Sequence, residues 1–591
     1  MSTMLYKRID YKLENLMLDI ESGKLGLPDL QRPFVWQNAK VRELFDSMMK
    51  GYPIGYLMLW DAPEGEGNDK QIGIGMHSHE APKQLIIDGQ QRLTSLFSVM
   101  SGKKVLDSRF QERPISIAFN PLQRKFEVTN ASHHKSAEWI AEISEVYQNA
   151  NNSFSYIGNY IQKLEDARKK DSLELTSEEK QTVATNIQDL LQLKDYMIPT
   201  LSITDQADEE DVADIFVRVN SGGKSLNEND FILTLISVHD EEERRRIEKF
   251  CKDATIPVAG GSSYNQLFTP KPSHIIRVVM AYGFKRARLH YAYLLLRGKN
   301  MDTGIFELDL RDAKFQELEK RLDEVLNLNN WHEFINCVIS AGYLSSSLIA
   351  AENALVYTYV MYLIGKYDFK VNAVTLRKTI ARWFYMTSVS SYYTVSYETQ
   401  VQSDLNNLKS LQGAEAFQNY LYTKIDAVFT NDYFDITLPA GFATSAAISP
   451  AWNAYCAAQN VLDMKAMFST MPVRSLFSPG AGGTKSAVEK HHLFPKAYLS
   501  RIGIDDDRDR NQIANFAFIE WKDNISISDD APNKYWPKVT SGIESVALRQ
   551  MLQDNALPQD WASMSYSDFL EARQKLMASI VRRGYEKLSG I

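Results

Sequence analysis

The chain has 591 residues, 44% of them hydrophobic and 24% charged, a globular composition that excludes a mainly disordered or fibrous protein. At roughly 150 residues per domain it has room for about four domain equivalents. With 66 Lys+Arg against 74 Asp+Glu the formal charge is −8, so no whole-protein field draws it to phosphate and any nucleic-acid contact needs a local basic patch.

In chain order, hydrophobic spacing predicts a helix over 11–22, closed by Gly23, and a second over 40–49, stopped by Gly51-Tyr52-Pro53. Residues 57–60 and 84–87 read as strands, 64–70 as a Gly/Asp/Glu-rich loop, and 114–119 with 125–128 as a hairpin. From 137 to 193 the chain is helical and heavily charged, 201–203 is a short strand, and Asp208-Glu209-Glu210-Asp211 suits a helix start. Residues 241–427 carry helical period almost throughout. Within them the apolar stretch 338–367, broken by Glu352 and Asn353, reads as a buried helical hairpin and not a membrane span. Composition shifts to Asn, Asp, Pro, Gly and Thr at 428–449, and a flexible stretch at 478–484 precedes the most informative segment. The expected organisation is α/β plus α: an α/β domain over 1–240, a helical middle region over 241–430 and a C-terminal domain over 431–591.

The three cysteines, Cys251, Cys337 and Cys456, form no CxxC pair, which argues against a thiolate zinc site or a disulfide framework. The first 14 residues lack the apolar core of a signal peptide, so the expected compartment is the cytoplasm.

Two constellations carry chemistry. In the first, His491-His492-Leu493-Phe494-Pro495 is followed by Asn515 and, with eight residues between, by Asn524. A one-metal nuclease needs a neutral imidazole to deprotonate water and further groups to hold a hard divalent cation against phosphate oxygens. Adjacent strand residues point to opposite faces, so both histidines serve one site only if the strand bends. Pro495 is compatible with a strand end there. The bland alternative is chance or core packing, and His133-His134, a pair without the proline, is an internal control.

In the second, Leu85-Ile86-Ile87-Asp88-Gly89-Gln90-Gln91-Arg92-Leu93 reads as an apolar strand, a glycine turn and an amphipathic helix. The free N–H groups of a helix N-terminus suit phosphate, Arg92 suits a bidentate contact, and Asp88 suits either a metal or a helix cap. A plain β-to-α turn is the alternative. Two further segments accompany it: Leu27-Pro28-Asp29-Leu30-Gln31-Arg32-Pro33-Phe34-Val35-Trp36, a polar-tipped and aromatic-backed loop, and Phe216-Val217-Arg218-Val219-Asn220-Ser221-Gly222-Gly223, a helix end with a Gly-Gly turn. Gly223-Lys224-Ser225 is not the end of a P-loop, because Arg218 stands where its first glycine is needed.

HHxxP with N-x8-N resembles the HNH, or ββα-metal, nuclease motif in its DUF1524 variant, over roughly 430–591. The resemblance implies a β-hairpin presenting the histidines, with His492 as general base and His491 as a metal ligand. It also implies that Asn515 orients the base and that Asn524, at the start of the next helix, completes a site for Mg2+ or Mn2+. The three N-terminal segments, in their order, resemble the DUF262 family over about 5–240. That family implies a ParB/sulfiredoxin-like fold that binds and hydrolyses NTP, with Gln31, Arg32, Asp88, Gly89, Gln91, Arg92, Arg218 and Asn220 at the nucleotide pocket. The pairing of the two resembles the GmrSD type of type IV restriction enzyme. The expectation is therefore an NTP-regulated, metal-dependent endonuclease acting on double-stranded DNA with modified bases, such as hydroxymethylated or glucosylated cytosine, in phage defence. It has no membrane association and is compatible with a homodimer. The competing class is a nucleotide-gated DNA-binding adaptor with a structural HNH-like end.

Three weaker groups read as structure first. Lys285, Arg286, Arg288 and Arg297 near Tyr291 and Tyr293 suit a solvated helix face, with a DNA track as the alternative. Trp383-Phe384-Tyr385 and Tyr392-Tyr393 suit helix packing, with base stacking as the alternative. Arg573, Arg582 and Arg583 suit a solvated face, with phosphate contact as the alternative.

Overall fold

The computed structural model describes residues 4–26, 36–61, 83–106, 112–170, 172–207, 212, 215, 236, 241–257, 260–289, 296, 298, 308–446, 448–477, 488–520 and 529–590. The chain divides into two compact units, Met1–Leu226 and Asn227–Ile591. The boundary expected near 430 falls inside the second.

The strands of the first unit are β1 Tyr6–Lys12, β2 Leu25–Gly26, β3 Leu57–Asp61, β4 Gln84–Asp88, β5 Val105–Leu106, β6 Glu112–Arg113, β7 Ile117–Asn120, β8 Lys125–Val128 and β9 Met197–Ile203. One mixed sheet has the order β1-β9-β3-β4-β2, while β5–β6 and β7–β8 are separate antiparallel pairs. β3 is central, parallel to β9 and antiparallel to β4, and is buried from Leu57 to Trp60. A continuous apolar run is what a strand covered on both faces requires. Around the sheet lie α1 Leu13–Glu21, α2 Asn38–Met49, α3 Gln90–Ser101, α4 Ser144–Gln148, α5 Ser153–Lys170 and α6 Ser177–Gln192. Leu16 of α1, Val41 and Phe45 of α2 and Leu93 and Leu96 of α3 join Leu57 and Leu59 in a single hydrophobic core. The span expected as helix from residue 11 is a strand to Lys12 and a helix from Leu13.

The second unit is mostly helical. Its principal helices include Pro272–Phe284, Leu328–Ser340, Glu352–Leu363, Ala373–Val389, Tyr397–Lys409, Ala414–Val428, Pro450–Leu462 and Tyr566–Ser589. The stretch 338–367 is not the expected hairpin: the helix Leu328–Ser340 ends just after the stretch begins, and the stretch contains one full α-helix, Glu352–Leu363, buried without a break from Ala354 to Leu363. Among the described residues no helix is long and apolar enough to cross a membrane. Gly584 marks a close approach: a Cβ there would lie 2.9 Å from the Ala458 Cβ and from the Tyr385 hydroxyl. Its absence lets Tyr566–Ser589 seat on Pro450–Leu462 and Ala373–Val389, where the Tyr385 hydroxyl donates to Val581 O at 2.8 Å. Trp383, Phe384 and Tyr385 are fully buried. The hydroxyls of Tyr392 and Tyr393 donate to the buried Asp404 at 3.2 and 3.3 Å, so this aromatic group is core and not a stacking platform.

The helical unit also contains an acid-sensitive residue. His274 stacks on Phe268 with centroids 5.3 Å apart and lies 3.4 Å from Glu352. Burial pushes its imidazole down to about 4, with Glu352 opposing. The folded ring stays neutral below the ordinary value of 6.5 while an unfolded one takes up a proton. Stability is expected to fall as pH drops from 6.5 towards 4. His274→Gln should lose that part of the fall, which urea melts at about pH 7 and about pH 5 measure.

Candidate functional site

The ladder of the second unit is formed by β10 Val488–His492 and β11 Phe516–Glu520, antiparallel, with His491 opposite Ala517 and His492 opposite Phe516. Leu493 N–H then donates to Asn515 O at 2.9 Å. Pro495, at φ −60 and ψ 142, is the extended residue from which the helix Lys496–Arg501 starts. Leu493 and Phe494 are buried, and the Tyr535 hydroxyl donates to Leu493 O at 2.5 Å, so the exit of β10 is locked into the core.

The register is continuous, with no bend to turn both histidines to one side. His491 shares a face with Ala517 and Ile519, both in the hydrophobic cluster of this region. His492 lies against the Phe516 ring, centroids 4.4 Å apart. Its Nε2 is 3.1 Å from Asn511 Oδ1. Burial holds the His492 imidazole below its ordinary value, Asn511 acts the other way, and the Lys496 charge adds to the lowering. The ring is therefore neutral near neutral pH, the form that accepts a proton.

The Asn515 side chain bonds backbone groups of Phe494 and Arg510. It is fully buried, accepts from Phe494 N–H at 2.8 Å, and donates through Nδ2 to Phe494 O at 3.0 Å and Arg510 O at 3.2 Å. The side chain on the ring is Asn511, which no motif singles out. Arg573 is a residue that the sequence reading misplaces. It lies on no solvated face: it is fully buried, and its guanidinium donates to Ala514 O at 2.6 Å, Phe516 O at 2.7 Å and Asn555 O at 3.3 Å. The available signal was its spacing, four residues from the buried Phe569 and four from the buried Met577. Arg582 does point outward, bonding Glu586 and Asn431.

Among the described residues no three His, Cys, Asp or Glu side chains converge as metal ligands. Asn524, expected to share the cation with His491, lies outside the described residues. An imidazole on the core-facing side of a strand does not by itself make a metal site. The control pair behaves as structure: His133 is buried, with Nε2 3.1 Å from Glu127 and Nδ1 accepting from Asn130 N–H at 3.2 Å.

In the first unit β4 ends at Asp88 and α3 begins at Gln90. Gly89 between them has φ +90, and a Cβ there would lie 2.3 Å from Leu57 Cδ2, so only glycine fits. Gly89 is the N-cap and no side chain caps α3, so Asp88 is not the cap. Its carboxylate instead lies 3.7 Å from Arg92 Nη2, while Arg92 Nη1 donates to Ile54 O at 2.9 Å. Burial lowers the Arg92 pKa and Asp88 opposes it. Gly55, a residue the sequence reading does not single out, makes room: its Cβ would lie 2.8 Å from Arg92 Nη1. A fixed guanidinium thus sits beside a helix N-terminus, an arrangement suited to an anion. Gln91 lies in the first turn of α3, where its carbonyl accepts from Ser95 Oγ at 2.6 Å. Gln31, Arg32, Arg218 and Asn220 lie outside the described residues, as do Tyr291, Tyr293 and Arg297.

Residues 13–237 match the GmrSD restriction endonuclease, N-terminal domain. The span takes in the whole Asp88–Arg92 turn. The chain is also similar to an uncharacterized protein of Methanocaldococcus jannaschii, at 21% identity across 96% of this chain and 97% of that protein.

Proposed function

We propose, from the GmrSD-type resemblance of residues 13–237, that the protein is an NTP-regulated, metal-dependent DNA endonuclease. In this reading it cleaves phage DNA with modified bases, such as hydroxymethylated or glucosylated cytosine, as a type IV restriction enzyme. The observation that supports the nuclease half is His492: a neutral, half-buried imidazole at the end of a β-ladder, held against Asn511 and next to a turn clamped by Asn515. In this reading the β10–β11 ladder belongs to an HNH, or ββα-metal, domain. His492 takes the proton of the attacking water, and the Asn515 clamp keeps the strand end from swinging. In this register His491 faces away from the side that carries His492, so of the two expected ligands Asn524 is the one that would hold Mg2+ or Mn2+ beside it, an ion that when bound neutralises charge on the scissile phosphate. The N-terminal unit is then a ParB/sulfiredoxin-like NTP-hydrolysing domain with Gln31, Arg32, Asp88, Gly89, Gln91, Arg92, Arg218 and Asn220 around the nucleotide.

If NTP binding licenses cleavage, its leverage is limited to its differential affinity for two states of the protein. A coupling of about 1–3 kcal/mol changes cleavage roughly 5- to 150-fold. Arg92→Ala is expected to lose NTP binding and the NTP response of cleavage together. Calorimetric titration and cleavage assays on the same preparations measure both, and an intact NTP response in a variant that binds none contradicts the coupling.

One observation favours the second reading, a nucleotide-gated DNA-binding adaptor: His491 and His492 fall on opposite faces of a continuous ladder and do not serve one site together. An adaptor would bind modified DNA in an NTP-dependent way and leave every phosphodiester intact.

A further inference from the structure

We infer that Asn511 is a positioning residue that fixes the proton of His492 on Nε2 and leaves Nδ1 as the nitrogen that accepts a proton. The use made of Nδ1 rests on the nuclease reading above; the tautomer does not.

A neutral imidazole carries one N–H, and the partner of one nitrogen decides which nitrogen keeps a lone pair. His492 Nε2 faces Asn511 Oδ1 at 3.1 Å. An amide oxygen only accepts, so the ring donates from Nε2 and the lone pair lies on Nδ1. Turning the ring over would break this bond.

The position of Asn511 is itself set by a closed circuit of hydrogen bonds. Its own N–H donates to Asp507 O at 3.0 Å. The carbonyl before it, on Arg510, accepts from Asn515 Nδ2 at 3.2 Å, and that of Asp509 accepts from the Tyr566 hydroxyl at 2.7 Å. Arg510 Nη1 donates to Ser500 Oγ at 2.7 Å, and Ile513 N–H donates to Thr444 O at 2.8 Å. The Asn515 amide also holds both backbone groups of Phe494, two residues past His492. One buried side chain therefore clamps the strand that carries the histidine and the turn that carries its partner. The separation of ring and amide is fixed from both ends, with Phe516 against the ring. A proton relay needs this kind of orientation, because an imidazole in the wrong tautomer presents an N–H where a lone pair is required.

The test uses the full-length protein with 15N-labelled histidine, the His492 ring signals being identified by their loss in His492→Gln. In the neutral range the wild type is expected to show the Nε2–H tautomer. Asn511→Leu should give a mixed or Nδ1–H population and lower kcat about 10- to 100-fold with KM for DNA unchanged. Asn511→Asp, which keeps an acceptor in place, should retain the Nε2–H tautomer and most of kcat. A wild-type ring in the Nδ1–H form overturns the inference whatever the protein cleaves, as does Asn511→Leu with wild-type tautomer and kcat. A protein with the expected tautomers that cleaves no DNA upholds the positioning and overturns the nuclease reading instead.

Discussion

His492→Ala is expected to lower DNA cleavage by about 10²–10⁴-fold, the usual cost of removing a general base. The fold and NTP hydrolysis should remain. The ring is half-buried and touches the Phe516 ring and the Asn511 amide. The bonds that build the turn run through the backbone at Leu493 and Phe494 and the Asn515 side chain, none of which the truncation removes. The Asp88–Arg92 turn belongs to the other compact unit. Single-turnover cleavage, thermal melting and NTP hydrolysis, measured side by side, separate these effects. Cleavage at the wild-type rate, by a folded variant, removes His492 from the reaction.

Arg573→Met is expected to destabilise the second unit by roughly 3–5 kcal/mol, the cost of breaking a buried polar network at its charged member. The guanidinium supports the carbonyls on both sides of Asn515, at Ala514 and Phe516, and reaches Asn555 as well. Methionine fills part of the volume and leaves these buried acceptors without their donor, at about 1–3 kcal/mol each. Partial relaxation and the removal of a buried charge offset some of that loss. Arg573→Lys should not restore stability, because one ammonium on a flexible stem does not match three carbonyls held by a planar fork. Urea unfolding followed by tryptophan fluorescence measures the change, Trp561 lying in the same hydrophobic cluster as Ala517 and Ile519 of β11. A loss below about 1 kcal/mol would mean that the β11 entry holds without the arginine.

What could be read from the sequence was local in the chain. Strands β3 and β4, the turn at Gly89 and helices α1 and α2 carry their own periodicity and punctuation, and each forms within a few residues of its expected bounds. Strand β1 does not: Tyr6–Lys12 is mostly exposed, has only Tyr6, Ile9 and Tyr11 as apolar residues, and exists because it pairs with β9 along its length. Its strand character is a tertiary property. The same pairing extends β9 back to Met197, well before the apolar stretch read as a strand. At the site, His491-His492 with Pro495 is a contiguous pattern and therefore visible. Asn511 is 19 residues from the ring it contacts and follows a run of aspartates and arginines. Arg573 meets Ala514 across 59 residues, and Arg92 meets Ile54 across 38. Such pairs become visible only when the chain is folded, and a charged side chain among them reads as surface until its burial is known.

The most direct measurement is a cleavage panel of plain, hydroxymethylated and glucosylated DNA, each with and without NTP, in Mg2+ or Mn2+, using the wild type and His492→Ala in parallel. The wild type should cut modified DNA, spare plain DNA and respond to NTP, while His492→Ala cuts modified DNA about 10²–10⁴-fold more slowly. Intact modified DNA in every wild-type reaction, with NTP-dependent binding preserved, would contradict the endonuclease and leave the adaptor.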